Sequence, residues 1–313
     1  MARKKIALIG GGQIGQILAM MAAQKELGDV VILDIPDLEG PVKGKALDLA
    51  EMGPIEGYDC KLSGTSDYKD IAGADVVIVT AGLPRKPGMT RDDLLATNVN
   101  IIKKVAEGVK ANAPKAFCII LTNPLDAMVY AFQKVTGFPK SQLCGMAGVL
   151  DTSRWRSFIA MELGVSVEDV SGTVLGGHGP TMVPLPRLTT VGGVPLPEIM
   201  DAEKIEAIAT RTRQAGTEIV KLLGKGSAFF SPAWSAISMA ESYLKDKRRV
   251  MPCAALCEGE YDINGLFIGV PCLIGAKGVE KIFSIKLAED EKALLAKTKD
   301  AVQKTVDECN TII

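Results

Sequence analysis

A buried-looking run, Ile6-Ala7-Leu8-Ile9, breaks into Gly10-Gly11-Gly12-Gln13-Ile14-Gly15, after which apolar positions recur with helical spacing to about Leu27. A strand that turns through Gly-x-Gly-x-x-Gly directly into a helix leaves few folds open. Gly10 permits the tight turn, Gly12 lets backbone approach a pyrophosphate, and Gly15 lets helix and strand pack closely. Free N–H groups and the dipole at the helix start, around Gln13 and Ile14, favour negative charge. Alone, the glycines describe any tight turn. A second apolar run, Val30 to Asp34, ends in an acid about twenty residues after Gly15, where a carboxylate can hydrogen-bond an adenosine ribose and repel a 2′-phosphate. Together these features predict a dinucleotide site made by Gly10, Gly11, Gly12, Gln13, Ile14, Gly15 and Asp34, with NAD favoured over NADP.

The alternation continues. Val76 to Thr80 and Cys118 to Leu121 read as further strands, with helices expected near Asp92 to Asn112, Leu125 to Thr136 and Leu150 to Leu163. Beyond about Gly164 the strand-like stretches are Val170 to Leu175, Thr181 to Val191, Arg249 to Leu256, Gly265 to Ile274 and Val279 to Ile285. Longer helices are expected near Ala202 to Leu223, Pro232 to Lys245 and Glu289 to Cys309. The pattern predicts an α/β chain: a Rossmann-type parallel sheet in a dinucleotide-binding domain over residues 1–148, and a second α+β substrate/catalytic lobe over 149–313. With no low-complexity linker and no fixed repeat, the two should pack closely and share a cleft.

Lys plus Arg number 36 against 37 Asp plus Glu, so no global field argues for nucleic acid or an anionic membrane, and a small molecule is the expected partner. The seven cysteines are scattered, mostly inside apolar runs, and read as reduced core residues of a cytoplasmic chain. Cys253 and Cys257 form the one close pair; without a second histidine no zinc ligand set is apparent, and no metal is expected. Arg3, Lys4 and Lys5 ahead of an apolar stretch imitate a secretory signal, but Gly10 to Gln13 interrupt the run where a signal helix is continuous. Apolar stretches elsewhere are soon broken by charge or glycine, so no membrane span is expected.

The only histidine stands in a glycine-rich turn, Gly176-Gly177-His178-Gly179. A group that titrates near neutrality with little steric cover can exchange a proton with a small molecule, although a histidine that merely braces a turn looks the same in sequence. The loop Thr80 to Arg91 is rich in Gly and Pro and holds Arg85 and Arg91, the composition of a lid with cationic teeth or of a plain solvated loop. Asn123, after a strand in Leu121-Thr122-Asn123-Pro124, should project at the sheet edge unless it only makes a turn. Asp151 and Arg154, three apart at the start of a helix, share one face. They form a local ion pair and cap, or a functional pair. His178 favours the second reading, because an acid–base imidazole needs a carboxylate to orient it.

Taken together, Gly10 to Gly15, Asp34, Pro84-Arg85-Lys86-Pro87-Gly88-Met89 to Arg91, Thr122-Asn123-Pro124, Leu150-Asp151 to Arg154 and Gly176 to Gly179 resemble the lactate/malate dehydrogenase superfamily, most closely its lactate-dehydrogenase-like malate branch. The resemblance runs over almost the whole chain. It implies reversible hydride transfer between (S)-malate and NAD, with His178 as proton carrier and Asp151 holding its tautomer. Arg154 is implied to fix the carboxylate beside the reacting carbon, Arg91 to stabilise the alkoxide and Asn123 to hydrogen-bond the reacting oxygen. Asn98, Leu121 and Thr122 are implied to join Asn123 along the cofactor. Lactate-specific members carry glutamine where this chain has Arg85; malate ends in a second carboxylate, which needs a cation. Two positions depart from the pattern: Pro180 follows the His-Gly pair where an acid is usual, and Trp234 replaces a commonly small residue near the substrate pocket. The family also implies a homodimer or homotetramer, for which the apolar face Leu18 to Ala23 would serve. Two rivals remain, a dehydrogenase for lactate or another 2-hydroxy acid and a non-catalytic NAD-binding sensor.

Overall fold

The computed structural model describes residues 3–84 and 91–313, with backbone alone at 91 and 92. Arg85 and the side chain of Arg91 therefore lie outside the described residues.

The first half runs β1 (Lys5–Ile9), α1 (Gln13–Gln24), β2 (Asp29–Leu33), α2 (Glu39–Glu56), β3 (Leu62–Thr65), β4 (Val76–Val79), α3 (Arg91–Asn112), β5 (Phe117–Ile120), α4 (Leu125–Thr136) and β6 (Leu143–Gly145). These six strands are parallel neighbours in the order β6-β5-β4-β1-β2-β3. Helices cover both faces, so β4 and β5 are buried along their whole length and read in sequence as unbroken apolar runs.

The second half runs α5 (Gly148–Leu163), β7 (Val170–Ser171), β8 (Val174–Leu175), β9 (Val183–Pro184), β10 (Thr190–Val191), β11 (Val194–Pro195), α6 (Leu196–Ile199), α7 (Ala202–Leu223), α8 (Phe230–Leu244), β12 (Arg249–Glu258), β13 (Asn264–Gly275), β14 (Gly278–Ile282) and α9 (Glu289–Asn310). It does not form a sheet of its own around its long strands. β12, β13 and β14 pair antiparallel and join β6 through Ala254 and Gly145, extending the parallel sheet to nine strands among the described residues. One hydrophobic core therefore runs through both halves. A smaller cluster, with Trp155 and Ile159 of α5 and Ile205 and Ile208 of α7, lies outside it.

α2 carries glycines, Pro41 and Pro54 and was not expected; a single stripe, Val42, Ala46, Leu49 and Gly53, packs it down, so tertiary contact overrides poor propensity. Val170 to Leu175 is two short strands in different sheets. Thr181 to Val191 is likewise divided, because Pro184 and Pro186 cannot donate to a ladder and a 3-10 turn spans Pro186–Leu188. Past Ile282 the chain leaves the ladder: the Tyr261 hydroxyl donates to Phe283 O at 2.7 Å and accepts from Ile285 N–H at 3.0 Å. The expectation that Leu18 to Ala23 offers a subunit face is wrong. Leu18, Ala19, Met21, Ala22 and Ala23 are no more than 1% exposed, because α1 packs them against the monomer's own sheet and α8.

Candidate active site

Strand order reverses between β1 and β4, whose following connections leave on opposite sides, so a crevice opens at the carboxyl ends of the parallel strands. Three turns meet there. After β1, Gly10 N–H donates to Leu33 O at 2.8 Å and Thr80 Oγ1 donates to Gly10 O at 3.1 Å. A Cβ on Gly15 would come 2.0 Å from Gly10 O, so that close helix–strand approach admits only glycine. Gly12, by contrast, is exposed with open space around a built Cβ, and it caps α1 without a side-chain hydrogen bond. The crest of the loop and the start of α1 thus present backbone N–H groups to an anion. Asp34 Oδ2 accepts Gly11 N–H at 2.7 Å and Oδ1 accepts Ile35 N–H at 2.8 Å, which holds this carboxylate beside the loop. Lys45 Nζ donates to Gly11 O from α2. An open glycine crest, uncapped N–H groups and an acid at the tip of β2 fit a dinucleotide with a free ribose hydroxyl.

Beyond β4 and β5 the backbone is clasped by one side chain. Buried Asn98 of α3 accepts Leu83 N–H at 2.8 Å and donates to Leu83 O at 3.1 Å and Asn123 O at 2.7 Å. Thr122 Oγ1 donates to Ala81 O at 2.7 Å, and Leu121 is buried. Asn123 is exposed at the edge. The structure thus brings Asn98, Leu121, Thr122 and Asn123 together, with Asn98 committed to backbone.

His178 reaches the crevice from the second half. Gly176 and Gly269 of β13 exchange backbone hydrogen bonds at 2.9 and 3.0 Å, and Gly177 N–H donates to Thr298 Oγ1 of α9 at 3.0 Å. A Cβ on Gly177 would meet Val302 at 2.5 Å, so side chains here would push the turn off its support. His178 Nδ1 lies 2.9 Å from Asp151 Oδ2, and His178 N–H donates to Asp126 Oδ2 at 3.0 Å. The imidazole is 17% exposed, enough for one edge to meet a small molecule. Burial opposes its protonation, but the charge and hydrogen bond of Asp151 and the charge of Asp126 outweigh that, so its pKa lies above the ordinary 6.5; Arg154 opposes the rise.

Asp151 sits in the first turn of α5, which begins at Gly148 with Ala147 as cap, so it does not cap the helix. It does pair with Arg154, Nη1 to Oδ1 at 3.4 Å. One carboxylate thus serves both neighbours. Arg154 is 12% exposed, its Nε is buried without a partner, and burial lowers its pKa against the pull of Asp151. A buried guanidinium with donors to spare is what a ligand carboxylate would complete. Pro180 is exposed, and Trp234 is half-exposed on α8 with Lys25 Nζ 5.5 Å over its ring.

Two side chains at the site were not singled out in the sequence. Thr298 is a threonine in the middle of a polar helix, about 120 residues from His178, and carries no local signal. Asp126 follows Asn123 by three positions, and as an acid in a helix's first turn it reads as dipole compensation.

Comparison with known proteins identifies the family. Residues 4–145 match the family described as lactate/malate dehydrogenase, NAD binding domain, and residues 148–312 match lactate/malate dehydrogenase, alpha/beta C-terminal domain. A malate dehydrogenase of Myxococcus xanthus is 58% identical over 305 residues, 97% of either chain. The crystal structure of Cryptosporidium parvum malate dehydrogenase superposes with a TM-score of 0.96 at 45% identity over 99% of both chains. A Cryptosporidium parvum lactate dehydrogenase complexed with lactic acid and nicotinamide adenine dinucleotide gives 0.96 at 46%, also over 99% of both.

Proposed function

The chain belongs to the lactate/malate dehydrogenase family, and from that premise we infer which of its residues carry the reaction. It is an NAD-dependent enzyme that interconverts (S)-malate and oxaloacetate. Bound NAD supplies the hydride acceptor and NADH the donor.

His178 is the proton carrier. In malate oxidation its neutral Nε2 takes the C2 hydroxyl proton, and in oxaloacetate reduction the imidazolium returns it. Asp151 accepts from Nδ1, fixes the tautomer and stabilises the imidazolium. The observation that carries this reading is the 2.9 Å contact between Nδ1 and Asp151 Oδ2 beside an under-paired Arg154. Arg154 binds the carboxylate next to the reacting carbon, and Asn123 hydrogen-bonds the reacting oxygen. Arg91 steadies the developing alkoxide, and Arg85 pairs bidentately with the distal carboxylate of the diacid. Such a charge-assisted pair is worth on the order of 1.5–3 kcal/mol. Gly10 to Gly15 seat the pyrophosphate, and Asp34 takes the adenosine ribose. Asn98, Leu121 and Thr122 shape the nicotinamide end, Asn98 by bracing backbone.

The partners of the chain are its small-molecule substrates, and we assign it to a homodimer or homotetramer in the cytoplasm. No helix among the described residues is long and apolar enough to cross a membrane. The test is NADH oxidation with oxaloacetate against pyruvate. Strong preference for oxaloacetate supports the assignment; preference for pyruvate indicates a lactate enzyme, and no turnover with any 2-oxo acid indicates a nucleotide sensor.

A further inference from the structure

The proton carrier has two carboxylates behind it, not one. Asp126 lies in the first turn of α4, a helix buried over Leu125 to Phe132 and packed between α3 and α9. Its Oδ2 accepts the backbone N–H of His178 itself at 3.0 Å, and its Oδ1 is buried without a partner. A carboxylate in such a place is costly: the buried stretch Leu125 to Phe132 offers it no cationic side chain, and the one lysine of α4, Lys134, stands in the last turn. Burial pushes its pKa up to about 6, held there by the charge and N–H of His178, so it ionises within the working range of the imidazole.

From this geometry we propose that Asp126 is a positioning residue for the proton carrier. It anchors the His178 turn through that residue's backbone N–H, and its negative charge supports the imidazolium that forms during malate oxidation. The proposal rests on the assignment of His178 as the proton carrier. Asp151 alone would orient the ring; Asp126 fixes the backbone from which the ring hangs. Among the described residues, the charged groups facing this pair are Asp151 and Arg154 of α5. α9 brings the Thr298 hydroxyl and Val302 against the turn, and β13 the backbone of Gly269. Arg154, the one cation among these groups, is paired with Asp151 at 3.4 Å, so among the described residues Asp126 has no Lys or Arg partner and its charge acts on the imidazole.

The single histidine makes the test clean, since the imidazole resonances of a tag-free, histidine-labelled chain need no assignment. NMR titration of wild type and Asp126→Asn compares two proteins in which the amide oxygen can still accept His178 N–H while the charge is gone. The expected result is a His178 midpoint lower in Asp126→Asn by about half a unit to one unit, with the acid limb of kcat/KM for malate moving the same way. Asp126→Ala, which loses the anchor as well, should lower kcat at least about tenfold with NADH affinity unchanged, as loss of a positioned proton carrier does; Asp126→Asn should recover most of it. An unmoved midpoint in folded Asp126→Asn overturns the proposal. Should that variant not fold, the wild-type titration decides: a biphasic His178 curve with a step near pH 6 supports the coupling, and a single step overturns it. Activity of His178→Asn separates the two layers. Retained turnover there sinks the assignment of His178, whereas lost turnover together with an unmoved Asp126→Asn midpoint sinks only the role of Asp126.

Discussion

Asp151 Oδ2 sits 2.9 Å from His178 Nδ1, although the two residues belong to different elements, α5 and the turn after β8. A carboxylate only accepts, so Nδ1 must carry the hydrogen and Nε2 is left as the nitrogen that exchanges a proton in the crevice.

His178→Asn removes that nitrogen without disturbing the glycine loop. Turnover should fall by several orders of magnitude, as acid–base deletions in triads do, while NADH affinity measured by fluorescence titration stays near wild type. Substantial residual activity would point to another proton carrier.

The raised pKa of His178 fixes the sign of the pH dependence. Malate oxidation needs the neutral ring and should gain rate as pH rises through a midpoint above 6.5. Oxaloacetate reduction needs the imidazolium and should lose rate through the same region. Steady-state kcat/KM profiles in both directions check this, and a midpoint below 6.5 contradicts the balance of burial against Asp151 and Asp126.

Arg85→Gln should move kcat/KM from oxaloacetate toward pyruvate, since a guanidinium that recognises the second carboxylate is left unpaired by a substrate lacking it, a discrimination of roughly 10³-fold or more. A panel of 2-oxo acids with NADH reads the ratio. An unchanged ratio removes Arg85 from the specificity role.

Asp34→Ser should weaken the preference for NAD over NADP, because the carboxylate now held by Gly11 and Ile35 N–H would no longer repel a 2′-phosphate. Affinities for both cofactors measured side by side decide it; an unmoved preference would make Asp34 a loop brace only.

Glu241 joins α8 to α1 through Lys25 at 3.0 Å and also receives Lys245 at 3.1 Å and Lys247 at 2.8 Å. Burial works to raise its pKa, but the three ammonium groups hold it at about 2. The stability it contributes is present above the ordinary 4.5 and is lost as pH falls through about 2. Glu241→Gln should cost on the order of 1–2 kcal/mol at neutral pH, discounted for the part-exposed lysines. Denaturant unfolding at pH 7 and pH 3 should show the gap to wild type shrinking at the lower pH.

The parallel half of the fold was legible in the sequence because its signals are local. Strands β4 and β5 are unbroken apolar runs and β1 is one after its first residue, Lys5, and the glycines after β1 announce a backbone that must turn and approach. The second half was less legible. Its short strands are cut by Pro184 and Pro186, and its long ones join the sheet of the first half at a single bridge, Ala254 to Gly145, which no pattern in either segment specifies. α2 escaped notice because its helix is made by four packed residues and not by propensity.

At the site, residue identity was read from the chain: the lone imidazole, the acid and arginine three apart, and the asparagine at a strand end. What those residues do to one another was decided by the fold. Asn98 is spent on backbone, Asp151 is shared between a ring and a guanidinium, and Asp126 meets His178 only because α4 is buried beneath the turn that carries it. Chemical type and local turn geometry belong to short stretches of sequence. Burial, charge coupling and the choice of hydrogen-bond partner depend on segments far apart in the chain, and these exist only once the sheet has brought its strand ends to one edge.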